Sequence, residues 1–326
     1  MSESRKGINK LKRNYYVHLT GGLGNQLFQL AAALDRTEAA KIVLTQTTGK
    51  PRINSEGMAE LFSFELPSGV VVQSNQRIAT LEGKACGYFL RISISPVGIE
   101  KLSLYRNTVR LLASIVNSIS FGSILNIQGI RSVGYTKWNN KSNFLVGYFQ
   151  SSIYLENPAV LNSMKSLQLK KIGAETLEYV AQAKLVRPLI VHVRRGDYLN
   201  EESFGILSKE YYLESIRQIL QSTDCGEIWV FSDDIAGARE LFDEFELNTI
   251  KYIGDVDNSA SSGLEVMRHG AAYVIGNSTY SWWAAALSYT KNPHVIAPRP
   301  WFYGQDEVPN LLPKDWKRVD GRHSSE

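Results

Sequence analysis

Apolar and polar segments alternate near the start of the chain in a way that predicts a β–α–β unit. Residues 15–19 form an apolar run typical of a buried strand, and residues 41–45 form a second one. Between them, residues 25–36 place their apolar side chains on one face, which predicts a helix. A glycine turn at residues 20–24 joins the first strand to this helix.

The second half of the chain alternates even more regularly. Its predicted strands lie at residues 189–193, 227–231, 249–253, 272–275 and 294–297, the last of which closes the series. Its predicted helices lie at residues 209–220 with Ser208 as N-cap, from near Asp234 onward, around residues 264–269, and at residues 280–287. Repeated β–α units favour the α/β class, with a parallel sheet covered by helices.

The region between the two regular parts is harder to interpret. Residues 102–119 predict an amphipathic helix, which either packs on its domain or lies on a membrane surface. The chain has 326 residues, a length that suits about two domains. We place the boundary within residues 157–171 and expect an N-terminal domain of residues 1–160 and a C-terminal domain of residues 161–326.

Composition limits the classes of function. The hydrophobic fraction of 44% and the charged fraction of 21% are typical of a soluble globular protein. The net charge of +4 permits anionic small molecules or a membrane surface as partners, but it is far from that of a dedicated nucleic-acid binder. We therefore expect no nucleic-acid partner.

The cysteines and the N-terminus suggest a cellular location. Cys86 and Cys225 are far apart and belong to no CxxC or Cys/His array, so we expect neither a disulfide framework nor a zinc site. The first 14 residues are polar and basic without an apolar core, and no run of about 18 apolar residues occurs. A cytoplasmic protein is the simplest expectation.

Charged and polar clusters follow three of the predicted strands in the second half. Because the carboxyl ends of parallel strands share one edge of a sheet, these clusters should converge there. Guanidinium groups at that edge match phosphate oxygens, although a surface arginine pair held by Asp197 is the alternative interpretation. The three clusters are His192, Arg194, Arg195 and Asp197 after the first strand, Ser232, Asp233 and Asp234 after the second, and Asn277, Ser278 and Thr279 after the fourth.

The last of these clusters leads directly into a predicted helix. Backbone N–H groups at a helix start, with Ser278 and Thr279 hydroxyls beside them, form an anion site. Ordinary capping by either residue is the alternative. The neighbouring arginines favour phosphate contact.

The glycine turn of the first half resembles a dinucleotide-binding fingerprint only in part. Leu27 stands where the third glycine would be, and no acidic residue ends the second predicted strand, so an NAD site is disfavoured. The glycine loop, with Gly22 and Gly24, still lets the backbone approach a phosphate or a sugar closely, with a tight β–α turn as the alternative.

The acidic triplet Asp255-Val256-Asp257 resembles the metal-binding motif of some glycosyltransferases. Three residues are a weak signal, and the arginines already supply positive charge. We favour a solvated turn at residues 254–261 over a divalent metal site.

Taken together, these motifs resemble those of glycosyltransferase family 11, the α-1,2-fucosyltransferases of bacterial type. The segment HVRRGDY at residues 192–198 carries the most specific part of the resemblance. The other matching segments are residues 18–29, 147–151, 231–234 and 277–285.

The resemblance implies a GT-B arrangement, in which two Rossmann-like domains with parallel sheets face each other. It also implies inverting transfer of fucose from GDP-β-L-fucose to the 2-OH of a galactose-containing oligosaccharide or lipid-linked glycan, without a metal or other cofactor. Such enzymes serve O-antigen or other surface-polysaccharide synthesis at the cytoplasmic face of the inner membrane, so peripheral membrane contact is a further expectation.

The resemblance and the chemistry of the reaction together suggest roles for the candidate residues. Arg194, assisted by Arg195, would stabilise the departing phosphate. Asp197 would brace the arginine turn. The base is open between Glu202, Glu201 and Asp197, and a mechanism without a strong base is a further alternative because the transition state resembles an oxocarbenium ion. The remaining donor-binding candidates are His192, Gly22, Gly24, Asn25, Asp233, Asp234, Asn277, Ser278 and Thr279. For Asp234, capping of the helix that begins there is the alternative interpretation.

Two other functions stay open at this point. The first is that of a non-catalytic nucleotide-sugar or glycan-binding protein on the same fold, and the second is transfer of another GDP-linked sugar such as mannose. The motifs indicate phosphate and nucleotide more clearly than they indicate the sugar, and acceptor choice is expected to depend on residues 49–130.

Overall fold

The computed structural model describes most of the chain. Its described residues are 13–36, 39–46, 51–73, 127–132, 134–136, 144–196, 205–243, 250–303 and 307–322. Five features singled out from the sequence lie outside them: Cys86, the helix predicted at residues 102–119, Asp197, Glu201 and Glu202.

The first half folds around a parallel sheet of five strands in the order β3-β2-β1-β5-β4. The strands are β1 (Arg13–His18), β2 (Ala39–Thr45), β3 (Val70–Gln73), β4 (Ile127–Ser132) and β5 (Phe144–Gly147). Among the described residues, the α-helices here are α1 (Leu23–Leu34) and α2 (Pro158–Lys165), of which α2 crosses the predicted boundary at residue 160. α1 begins two residues before its predicted start, and α2 was not predicted.

The second half folds around a parallel sheet of six strands in the order β11-β10-β9-β6-β7-β8. The strands are β6 (Leu189–Val193), β7 (Ile228–Ser232), β8 (Ile250–Ile253), β9 (Ala272–Val274), β10 (His294–Arg299) and β11 (Lys317–Asp320). The helices are α3 (Ala174–Val186), α4 (Lys209–Ser222), α5 (Ile235–Phe242), α6 (Ala260–Met267) and α7 (Thr279–Ala286). The two parallel sheets with their helices confirm the predicted α/β class.

The prediction that the strand near residue 294 closes the sheet was wrong, because β11 follows it and pairs with β10. β11 has the sequence KRVD and lies at the sheet edge, where its side chains are exposed or half-buried. An edge strand of this kind has no apolar run for sequence reasoning to detect.

The strand order of the second sheet marks a place for a ligand. β6, β7 and β8 extend the sheet in one direction, and β9, β10 and β11 extend it in the other. Open α/β sheets bind ligands at such a reversal, outside the carboxyl ends of the strands. β6 is buried along its whole length, as expected for a central parallel strand that is covered on both faces.

The two sheets are joined by aromatic packing between α1 and α7. The Phe28 ring of α1 lies 4.6 Å from the Trp282 ring and 4.8 Å from the Trp283 ring. Both tryptophans are buried, and the Trp282 indole N–H donates to the Leu311 carbonyl at 3.0 Å. This packing brings the amino ends of the two helices together.

A buried arginine fixes the end of α2, just past the predicted boundary, to the helices of the second half. Arg268 donates from its guanidinium to the carbonyl oxygens of Lys165, Leu167 and Leu287 at 2.9 to 3.2 Å. It also pairs with Glu265 at 2.9 Å. The end of α2 is therefore fixed against α6 and α7, while the boundary near residue 160 stays a prediction.

No helix among the described residues has both the length and the apolar character needed to cross a bilayer.

Candidate active site

A cavity of about 760 Å³ lies between the two sheets and receives residues from both halves of the chain. The first half contributes Gly22, Gly24, Asn25, Arg52, Glu60 and Gln150. The second half contributes, among others, His192, Arg194, Asp233, Asn277, Ser278 and Thr279. All three strand-end clusters reach this cavity, which confirms the predicted convergence, but two of their described members, Arg195 and Asp234, do not line it.

Arg194 is the arginine of the pair that lines the cavity. It follows the last residue of β6, and its Nη1 lies 3.0 Å from Oδ2 of Asp233, which follows β7. The other oxygen of Asp233 accepts the backbone N–H of Arg195 at 3.0 Å. One carboxylate thus fixes both the guanidinium and the turn that carries it.

Arg195 and Asp234 interact with each other beside the start of α5. Arg195 Nε lies 3.4 Å from Asp234 Oδ2, and Asp234 Oδ1 accepts the Gly237 N–H at 3.0 Å. Neither residue is among those that line the cavity. Asp234 therefore caps α5, as one of its two interpretations predicted, and Arg195 supports the turn.

The start of α7 faces the cavity beside Arg194. The Ser278 hydroxyl accepts the backbone N–H of Tyr280 at 3.3 Å, which makes Ser278 the N-cap of the helix. Asn277 and Ser278 are both buried. Free N–H groups in the first turn of a helix carry partial positive charge, so this end offers an anion a second set of donors.

The glycine turn serves the contact between the halves as well as the cavity. Gly21 has a φ of +72°, a conformation that favours glycine. A Cβ atom at Gly24 would lie 2.5 Å from the backbone carbon of Thr279, whereas one at Gly22 would meet no atom within 4 Å. Gly24 is thus required by the close approach of α1 and α7, and Gly22 borders open space.

Asn25, the third candidate of the turn, is held by a residue that follows β5. Its Oδ1 accepts the Gln150 amide at 2.7 Å, and both residues line the cavity. Because this bond uses Oδ1, the side-chain amide nitrogen of Asn25 is available to donate to another partner.

His192 is neutral at physiological pH. It is buried, and burial, assisted by the positive charge of Arg194, lowers its pKa to about 4. A neutral imidazole can donate or accept one hydrogen bond at the cavity wall, but it adds no charge to a phosphate site.

Several residues of the cavity wall were missed by sequence reasoning, among them the polar residues Arg52, Glu60 and Gln150. Arg52 and Glu60 lie between β2 and β3 in a segment of turns, where no periodicity marked them. Glu60 Oε2 accepts the Leu23 N–H at 2.7 Å, and burial raises the pKa of its carboxyl. Gln150 belongs to a quoted segment, residues 147–151, but it had no predicted role.

The two acidic residues near β8 have different surroundings. Asp257 Oδ2 accepts the backbone N–H of Thr176 at 3.1 Å and also its hydroxyl, so it caps the start of α3 from a distance. Asp255 is exposed and borders the cavity. No group of three or more His, Cys, Asp or Glu side chains within the described ranges is arranged to hold a metal ion.

Comparison with known proteins identifies the family. The model of glycosyl transferase family 11 matches residues 14–307. The chain belongs to glycosyl transferase family 11. The resemblance inferred from the motifs is thereby confirmed, and the protein is a glycosyltransferase.

Two relatives from Escherichia coli match the family 11 chain over nearly their whole length. The O-antigen biosynthesis glycosyltransferase WbnK is 27% identical over 313 residues, which cover 90% of this chain and 96% of WbnK. An alpha-1,2-colitosyltransferase is 25% identical over 316 residues, which cover 93% of this chain and 97% of the relative.

Solved structures show more distant similarity to the family 11 chain. Fucosyltransferase NodZ from Bradyrhizobium has a TM-score of 0.42 at 13% identity, covering 84% of this chain and 92% of NodZ. The E. coli heptosyltransferase WaaC with ADP has a TM-score of 0.44 at 12% identity, covering 95% of this chain and 94% of WaaC.

Proposed function

We propose that this family 11 enzyme transfers L-fucose from GDP-β-L-fucose to the 2-OH of a galactoside, with inversion, during synthesis of O-antigen or another surface polysaccharide. The observation that carries the proposal is Arg194, held by Asp233 beside the start of α7 at the wall of a large cavity. The name of the relative WbnK supports the O-antigen setting.

The geometry suggests how the donor would be bound and activated. Breaking the bond between the sugar C1 and the diphosphate leaves negative charge on the phosphate. Arg194 and the N–H groups of α7 are fixed donors for that charge, and they stabilise it most in the transition state. This arrangement supports a reaction in which these groups, with no metal or other cofactor, neutralise the leaving group.

The two halves of the chain would bind different substrates. Residues 161–326 supply the phosphate-facing groups, so we assign the donor to them and the acceptor to residues 1–160. His192, Asp233 and Asn277 line the donor side, while Gly22, Gly24 and Asn25 reach it from the first half. An enzyme acting on lipid-linked glycans would work at the cytoplasmic face of the inner membrane, in peripheral contact with it.

Transfer of colitose is a second candidate, favoured by the relative named alpha-1,2-colitosyltransferase. Colitose lacks one ring hydroxyl that fucose carries. A donor panel of GDP-fucose, GDP-colitose and GDP-mannose with galactoside acceptors, followed by linkage analysis of the product by NMR, distinguishes these donors. Binding of a GDP-sugar in calorimetry without transfer to any acceptor would instead support a non-catalytic binding protein.

The role of Arg194 gives the sharpest test of the site. We expect Arg194→Ala to raise the activation barrier by about 3 kcal/mol and so to lower kcat/KM roughly a hundredfold, as when a preorganised donor to a developing anion is removed. Wild-type transfer should persist in EDTA. Arg322→Ala is the control, because Arg322 is largely exposed and pairs only weakly with Asp320. Near-normal turnover of Arg194→Ala, or strict dependence on added metal, would contradict the proposal.

A further inference from the structure

A buried carboxylate lies in the cavity on the side formed by the first half of the chain. Glu60 opens a short 3₁₀ turn, Glu60–Ser63, and is 7% exposed. It lines the same cavity as Arg194 and Ser278, which come from the second half. A carboxylate from the first half therefore lines the same cavity as the groups assigned to the departing phosphate.

The position of this carboxylate is fixed by α1. Glu60 Oε2 accepts the backbone N–H of Leu23, the first residue of α1, at 2.7 Å. Gly22, the N-cap, has no side chain to take that role. The hydrogen bond uses one carboxylate oxygen and leaves Oε1 to receive a second donor.

The surroundings of Glu60 suit a proton acceptor. Burial raises the pKa of its carboxyl above the ordinary value, which strengthens it as a base. The positive charges of Arg52 and Arg194 and the Leu23 N–H oppose that rise and favour the ionised form. The influence of Arg194 also means that the carboxylate lies within the electrostatic reach of the proposed phosphate site.

We propose that Glu60 is the general base that takes the proton of the acceptor hydroxyl. The acceptor oxygen forms its bond to the sugar C1 while the bond from C1 to the diphosphate oxygen breaks. The electron pair of the broken bond leaves with GDP, and the proton of the acceptor hydroxyl moves to the Glu60 carboxylate. This inference rests on the proposed transferase function.

Capping of α1 is the competing explanation for Glu60, and Glu60→Gln separates the two. Glutamine keeps the size and an oxygen for the Leu23 N–H, but it cannot accept the proton. We expect kcat to fall by about 10² to 10⁴-fold, the usual contribution of general-base catalysis. The affinity for GDP, the KM for the donor and the melting temperature should stay near those of the wild type.

Two further measurements detect proton transfer itself. The rise of kcat with pH on the acid side should be present in the wild type and absent in Glu60→Gln. Sodium formate should partly restore transfer by Glu60→Ala, because a small carboxylate can enter the space that the side chain leaves. Glu65→Gln is the matched control, since Glu65 is an exposed carboxylate in the same segment.

The outcomes distinguish this inference from the function on which it rests. Failure of the wild type to transfer any GDP-sugar would refute both. If the wild type transfers the sugar and Glu60→Gln has an unchanged kcat, the role of Glu60 alone is refuted. The same holds if Glu202→Gln or Asp197→Asn loses both kcat and the rise of kcat with pH on the acid side. Loss of GDP affinity and of melting temperature in Glu60→Gln, with an unchanged pH profile, would assign Glu60 to capping.

Discussion

The contact between α1 and α7 gives an expectation that can be worked out from distances. In Gly24→Ala, the new Cβ would lie 2.5 Å from the backbone carbon of Thr279 and 2.6 Å from the backbone nitrogen of Tyr280. Ordinary contact begins at 3.4 Å, so the two helix starts must separate by about 3.4 − 2.5 = 0.9 Å. A side chain can rotate away from such a clash, but these backbone atoms can only shift.

That shift should affect both stability and catalysis. Overpacking costs about 1–3 kcal/mol, and the better helix propensity of alanine returns up to about 1 kcal/mol. We therefore expect Gly24→Ala to lower the free energy of unfolding by about 1–2 kcal/mol. A displacement of about 1 Å between groups that hold a reacting molecule costs on the order of a hundredfold in rate, so kcat/KM should fall by that order.

Gly22→Ala is the comparison for this measurement. A Cβ there meets no atom within 4 Å, so only the poorer capping of α1 should reduce stability, by less than about 1 kcal/mol. Urea unfolding and GDP release from a GDP-sugar donor report the two effects for both variants. If Gly24→Ala unfolded and turned over like the wild type, the close approach of α1 and α7 would be refuted.

Two further expectations concern stability. Asp257→Ala should lower the free energy of unfolding in urea by about 1–3 kcal/mol, because it removes the acceptor for the buried N–H and hydroxyl of Thr176. Asp255→Ala is the control and should leave stability unchanged, because Asp255 is exposed. If the wild-type activity depended on a metal and Asp257→Ala lost that activity, the metal-site interpretation would be favoured instead. Stability should also fall as the pH drops from about 6.5 towards 4. The pKa values of the buried His18 and His192 are lowered from 6.5 to about 4, so in that window the unfolded chain binds protons that the folded chain does not. A urea midpoint that stays level or rises as the pH is lowered from 7 to 5 would contradict this expectation.

The sequence was sufficient for those parts of the fold that depend on local pattern. β6 was predicted with its observed bounds, and the start of α4 with Ser208 as its cap was also correct, since the Ser208 hydroxyl accepts the Tyr211 N–H at 3.2 Å. Parallel strands align their carboxyl ends, so the convergence of Arg194, Asp233 and Ser278 also followed from the order of elements.

Adjacent residues show where the pattern stopped being informative. Arg194 and Arg195 are chemically equivalent in the sequence, and so are Asp233 and Asp234. Successive side chains leave a strand end in different directions, so the two members of each pair must point to different sides. Only the packing of α5 determines that Arg195 and Asp234 take the side away from the cavity.

The sequence by itself determined the α/β alternation, the family and the edge of the second sheet at which the charged residues gather, because each depends on neighbours along the chain. Only the tertiary structure placed Glu60, Arg52 and Gln150 at the same cavity and gave Gly24 its reason. Those residues come from irregular segments or from the contact between the halves. Their positions depend on long-range packing, which leaves no periodic signal in the sequence.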